Sequence, residues 1–183
     1  MNHFFDSARE RMAYRAALKA AQRRTVSPWP SDPRDVRILL VLPDDVEMLR
    51  AAWRFALEID VPRSNIAPVV LGEQVSYSPD AFAGAVDIIT DRDLNWRRLP
   101  TKKVLQAFWN PRPHVAIDFT LPFSAASAYL TGASPAHFRV GLYDKAAEPF
   151  FDFLLAPMES FEAALRSLRG YLESIDPPAI AFK

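Results

Sequence analysis

A chain of 183 residues, half of them hydrophobic and 24% charged, is long enough for one buried core and is neither disordered, fibrous nor membrane-like in composition. Its 22 basic and 22 acidic residues cancel, so no global field draws it to nucleic acid or to an anionic membrane. With no cysteine it has no disulfide, no thiolate nucleophile and no cysteine-type zinc site. The longest apolar run, Ile38 to Leu42, falls far short of the roughly 20 residues of a membrane helix. The start of the chain lacks a secretory pattern, so cytoplasmic residence is expected.

Residues 2–24 predict a basic helix. Phe5, Ala8, Met12 and Ala16 fall at helical spacing, and Arg9, Arg11, Arg15, Lys19, Arg23 and Arg24 outnumber Asp6 and Glu10. It reads as a solvated surface helix spanning 1–26, with docking on a partner as the alternative. Three prolines within Ser27 to Pro33 enforce an extended linker over 27–34, and the main domain is expected over 35–183.

Val36 to Leu42 predicts a strand buried on both faces. Pro43-Asp44-Asp45 then opens a helix with Val46, Leu49, Trp53, Ala56 and Leu57 inward, Asp44 or Asp45 as its cap, and Glu47–Arg50 and Arg54–Glu58 as outer pairs. Ile66 to Leu71 and Val86 to Thr90 predict the next two strands, separated by a loop over Gly72 to Gly84. A short helix follows near Lys102 to Phe108. Val115 to Thr120, Phe138 to Tyr143 and Phe151 to Leu155 complete the strands. The link from Asp144 to Phe150 is too short for a crossover helix, which predicts an antiparallel edge strand. Ser160 to Ile175 closes the chain as a helix with Phe161, Leu165, Leu168, Leu172 and Ile175 inward and Glu162 paired to Arg166, stopped by Pro177-Pro178. The alternation predicts a three-layer, mostly parallel Rossmann-like α/β sheet of about six strands.

Open α/β sheets place their ligand crevice beyond the carboxyl ends of the strands, which singles out Asp45, Asp118 and Asp144. Asp45 and Asp118 are the candidate catalytic bases, and the three together could take a divalent cation. Each also reads as a helix or turn cap, the plainer role of aspartate at such positions. Thr120, Ser124 and Ser127 could present hydroxyls to an anion at a helix start. No glycine loop precedes them and Pro122 removes an amide, so Thr120 reads more simply as a cap. Arg139 either holds an acidic ligand or pairs with a neighbouring carboxylate.

His114 and His137 begin their strands, away from the crevice. No serine stands in a nucleophile elbow, no cofactor motif is present, and no cofactor or metal is expected. Trp96, Arg97, Arg98, Lys102, Lys103 and Trp109 form a basic, aromatic cluster suited to single-stranded nucleic acid or a sugar phosphate. Tryptophans packed beneath the sheet are the simpler reading.

The run His114-Val-Ala-Ile-Asp-Phe-Thr120, the small-residue stretch after it and Phe138-Arg-Val-Gly141 resemble the amino-terminal half of heptosyltransferase-type glycosyltransferases of the two-domain GT-B fold. Ile38-Leu-Leu-Val-Leu-Pro-Asp-Asp-Val46 is similar to their first strand. The likeness covers most of residues 36–175, and short bacterial proteins of unknown function that consist of this half alone resemble the chain more closely. The resemblance implies a Rossmann-like fold and puts the family's first-strand base at Asp45, although Pro43 or Asp44 replaces the glycine before it. It also implies a donor-binding carboxyl-terminal domain, for which this chain has no residues left. The expected function is a non-catalytic ligand-binding or interaction domain, with a nucleotide sugar or sugar phosphate as the candidate ligand, acting with a protein partner or as a homo-oligomer. The alternatives are a transferase completed by another subunit, with Asp45 or Asp118 as base, and an adaptor working through the amino-terminal helix.

Overall fold

A computed structural model describes residues 7–72, 78–156, 159–174, 180 and 182. Phe5 and His3, Ile175 and the Pro177-Pro178 stop lie outside the described residues. Six parallel strands form one sheet in the order β3-β2-β1-β4-β5-β6. They are β1 (Ile38–Leu42), β2 (Ile66–Leu71), β3 (Asp87–Ile89), β4 (Val115–Asp118), β5 (Phe138–Leu142) and β6 (Phe153–Leu155). The helices are α1 (Ala8–Ala21), α2 (Val46–Glu58), α3 (Lys102–Trp109), α4 (Ala125–Gly132) and α5 (Phe161–Ser174).

Side-chain alternation along β1 explains the layers. Ile38, Leu40 and Leu42 join the core beneath α2 and α5, while Leu39 and Val41 join the one beneath α3 and α4. All five are fully buried, as a central parallel strand requires. The same alternation in β4 sends Ile117 toward α2 and α5 and leaves Asp118 on the α4 side.

The edge strand corrects the sequence expectation. Strand β6 runs parallel to β5, with Val140 opposite Phe153 and Leu142 opposite Leu155. Because β6 begins two residues later than predicted, the connection spans 143–152, and it crosses as consecutive turns rather than as a helix. Phe150, fully buried, anchors that coil among residues of α1 and α4, and Asp152 ties its end to β5 by donating its amide to the Arg139 carbonyl at 2.9 Å.

Helix α1 also differs from its predicted stripe. Ser7 and Glu10 form a capping box at its start. Its inward face is Ala13, Ala17 and Ala21, packed with Ala128 and Ala133 around α4, whereas Met12 is 40% exposed. Alanines at i, i+4 spacing let two helix backbones come close, so the helix adds a further layer outside α4. The segment after it is held in place: Ser27 donates its amide to the Pro135 carbonyl at 2.7 Å, and the Trp29 ring meets His114 and His137 edge-on, 6.0 and 5.5 Å away.

On the far side, Glu47 pairs with Arg50 as expected. Arg54 instead reaches Glu162 at 3.2 Å, and Glu58 takes Arg169 at 2.8 Å, so these charges join α2 to α5 rather than lying within one helix.

Candidate functional site

The strand order reverses between β1 and β4, and in sheets of this kind the crevice opens at that point. A cleft of about 950 Å³ lies there, within the size range of small-molecule sites. The β-strand ends supply Asp44, Leu71, Gly72, Ile89, Asp91, Thr120 and Asp144. Ser124 to Ala126, at the start of α4, form part of the floor, and the start of α1 closes the cleft with Ser7, Arg9 and Glu10.

Asp118 lies beneath this floor, 4% exposed. Its Oδ1 accepts the Thr120 amide at 2.9 Å and its Oδ2 lies 3.2 Å from Thr131 Oγ1. The Thr131 hydroxyl donates to that oxygen and is shared with the Ser127 carbonyl at 2.7 Å, while the Ser127 hydroxyl donates to the Ser124 carbonyl at 3.1 Å. Burial pushes the Asp118 carboxyl above its ordinary range against the lowering effect of Thr120, Ser127 and Thr131. Asp118 stands at the top of β4 and reaches only a hole of about 10 Å³ shared with Thr120, Ser124, Ser127 and Asp144. That volume is about one water molecule's worth of space. The Thr120 hydroxyl is buried beside Asp118 without a hydrogen bond of sound geometry.

The other expected residues fall into two groups. Thr120, Ser124 and Asp144 all line the cleft. The cap of α4 is Ser124, whose Oγ accepts the Ser127 amide at 3.3 Å, and not Thr120, because the helix begins only at Ala125. Asp144 accepts the Ala146 amide at 2.7 Å with Oδ1. Asp45 is the α2 cap, taking the Met48 amide at 2.9 Å. It is its neighbour Asp44 that lines the cleft.

Arg139 lies at the opposite half of β5. It forks onto Asp152 from Nε and Nη2 at 2.9 and 2.8 Å and gives Nη1 to the Gly132 carbonyl at 2.8 Å. Burial of Asp152 tends to raise its pKa, yet the bonds and charge of Arg139, with Arg24 behind, hold the carboxyl below its ordinary range. This is the pairing alternative.

The predicted basic and aromatic cluster is divided by α3. At one end Asn95 closes a tight hairpin, its amide bonded to the Leu99 carbonyl and its side chain to the Arg97 amide. Arg98 adopts a left-handed φ of 63° there and pairs with Asp91 through both guanidinium nitrogens. At the tip Trp96 is 64% exposed, not packed beneath the sheet, and carries the Arg97 guanidinium 4.7 Å above its ring. Arg97 and Arg98 line the cleft. Trp109 lies at the far end of α3, half-buried, with its indole N–H on the Leu130 carbonyl. Sequence reading missed Arg9 and Asp44 as cleft residues. Only the packing of α1 on α4 brings Arg9 there, and nothing local separated Asp44 from Asp45.

Among the described residues no three His, Asp or Glu side chains gather as a metal-ligand set, so the carboxylates expected to share a cation do not converge. No described helix is long and apolar enough to cross a membrane. A parallel sheet in this order, with helices on both faces and its cleft at the reversal, defines a Rossmann-like α/β domain. Within that class the chain belongs to a family of unknown function (DUF6913), whose pattern matches residues 13–175. No curated protein and no solved structure matches the chain. Membership of a family of unknown function agrees with the sequence reading; the likeness to heptosyltransferases gains no support from it.

Proposed function

We propose that the protein is a non-catalytic binding protein whose cleft takes a sugar phosphate or nucleotide sugar. The observation that carries this reading is the division of charge around the cleft at the sheet's reversal. Asp44 and Asp144, with the hydroxyl residues Thr120 and Ser124, come from the β1, β4 and β5 ends. Arg9 and Arg97 come from α1 and the hairpin, and neither pairs with a carboxylate among the described residues. Carboxylates and hydroxyls suit the diols of a sugar. Guanidiniums suit a phosphate, and the Trp96 ring preorganises one of them.

Binding is favoured over catalysis because both candidate bases are otherwise engaged. Asp45 caps a helix, and Asp118 is a buried carboxyl that does not line the cleft. The likeness of residues 38–46 and 114–144 to a sugar-transferring family supports a sugar-bearing ligand and nothing more specific.

Thermal-shift measurements with glucose 6-phosphate, UDP-glucose, glucose and inorganic phosphate test it. A ligand at a hundred times its Kd adds about 2.7 kcal/mol, or roughly 5–10 °C for a chain of this size. The shift is expected for the sugar phosphate or nucleotide sugar and is lost in Asp144→Asn and Arg97→Gln. No shift with either compound, or a shift indifferent to both substitutions, overturns the reading.

A further inference from the structure

A second concavity lies at the other end of the domain. Its volume is about 440 Å³, inside the roughly 300–1,000 Å³ of small-ligand pockets. The segment following α1 provides Arg23 and Arg24, the end of α3 provides Trp109 and Arg112, and α4 provides Tyr129. Unlike the cleft at the strand ends, it has three guanidiniums and no carboxylate in its wall.

Arg24 has partners in the fold: it donates to the Ala136 carbonyl and lies 3.8 Å from Asp152. Arg23 and Arg112 do not, because neither guanidinium has a hydrogen bond or ion pair among the described residues. Arg112 is the more telling. It holds a left-handed φ of 56°, a conformation in which glycine or asparagine is less strained. Its backbone closes α3 by donating to the Trp109 carbonyl and accepts from Arg37 Nε, and any residue type could do both. The exposed arginine side chain makes no hydrogen bond or ion pair among the described residues. Arg98, the other non-glycine at positive φ among the described residues, is fixed to Asp91.

The aromatic wall is equally particular. Trp109 and Tyr129 meet edge-to-face at 6.1 Å, with the indole N–H already satisfied. The Tyr129 hydroxyl has no partner among the described residues, and burial keeps the phenol protonated, as a donor.

We infer that this groove is a second ligand site and that it binds a mononucleotide, with Arg23 and Arg112 on the phosphate and the Trp109–Tyr129 wall against the base. Two mobile guanidiniums match a phosphate, and an aromatic wall matches a planar ring. One compact groove on a chain of zero net charge argues for a single nucleotide rather than a strand, which needs a continuous basic track.

Calorimetric titration of the full chain tests this with AMP, adenosine, inorganic phosphate and a twelve-nucleotide single-stranded RNA. Saturable AMP binding is expected, with adenosine and phosphate each about tenfold weaker or worse. Arg112→Gln and Arg23→Gln should each weaken AMP about tenfold while the melting temperature holds, since both side chains are exposed. Arg166→Gln, an exposed residue of α5 that lines neither concavity, should leave AMP binding unchanged. The inference is overturned if AMP does not saturate by about 10 mM, if Arg112→Gln and Arg23→Gln leave its affinity intact, if phosphate binds as tightly as AMP, or if the RNA binds more tightly than AMP.

Discussion

Asp118→Asn isolates the buried carboxyl. Asparagine reproduces the protonated acid: its oxygen accepts the Thr120 amide, and its NH2 donates toward Thr131 Oγ1, whose own proton stays on the Ser127 carbonyl. The network therefore survives the substitution, and what disappears is the titration. In the wild type, burial raises the folded pKa above the unfolded value of about 3.9. Its contribution is then fully present below pH about 4 and is lost as pH rises toward the folded pKa, at up to about 1.4 kcal/mol per pH unit. The asparagine variant loses nothing over that range. In urea melts from pH 4 upward, its stability relative to wild type should climb with pH and level off at the folded pKa. In thermal melts the climb is about 3–6 °C per unit. Differences between the two proteins cancel every other titrating group, so the slope belongs to Asp118. A flat or falling difference would refute the reasoning, since it would mean that the carboxylate, not the acid, is what the fold stabilises.

Asp152→Asn should behave with the opposite sign. Arg139 and Arg24 hold Asp152 low, so its contribution is present above the unfolded pKa and is lost as pH falls. A cost of about 1–2 kcal/mol at pH 7, discounted for the one-third exposure of that side chain, should shrink as pH falls below about 4 in urea melts extended to acid pH. Gly132→Ala should cost about 1–3 kcal/mol in chemical denaturation, because a Cβ there would sit 2.9 Å from Phe150 Cβ, and the coil carrying Phe150 would have to move. Ser124→Ala removes the α4 cap and should lower stability by about 1 kcal/mol; a neutral result would show that Ser124 is held for the cleft alone.

The strands and the major helices were legible because their burial leaves a periodic trace. The run at β1 and the three-four spacing of α5 name both the element and its inward face. The edge strand was not legible, since its direction depends on where the connection packs: Phe150 buried against α1 and α4 lets a short coil cross where a helix could not fit. At the site, sequence placed Asp118 and Asp144 near the carboxyl ends of their strands and Ser124 at a helix start, where the structure has them. What it could not read was how Asp118 is buried and bonded. Thr131 and Ser127 lie one helical turn apart on α4 and face Asp118 only once that helix is on the sheet.

Helix α1 marks the deeper limit. Its basic character is plain in the sequence, but its inward face is made of alanine, and alanine buries too little area to stand out from a helix-favouring composition. The pattern of larger residues pointed to Met12, which is 40% exposed, because close backbone approach selects for small side chains rather than apolar ones. That same closeness gives the helix its place in the functional reading. Its first turn brings Arg9 to the cleft at the sheet's reversal, and the residues after its last turn bring Arg23 and Arg24 to the groove at the opposite end. One small-residue seam against α4 thus positions Arg9 at one concavity and Arg23 and Arg24 at the other. A charge run that reads as a solvated face in one dimension becomes, once docked, part of the wall of two concavities.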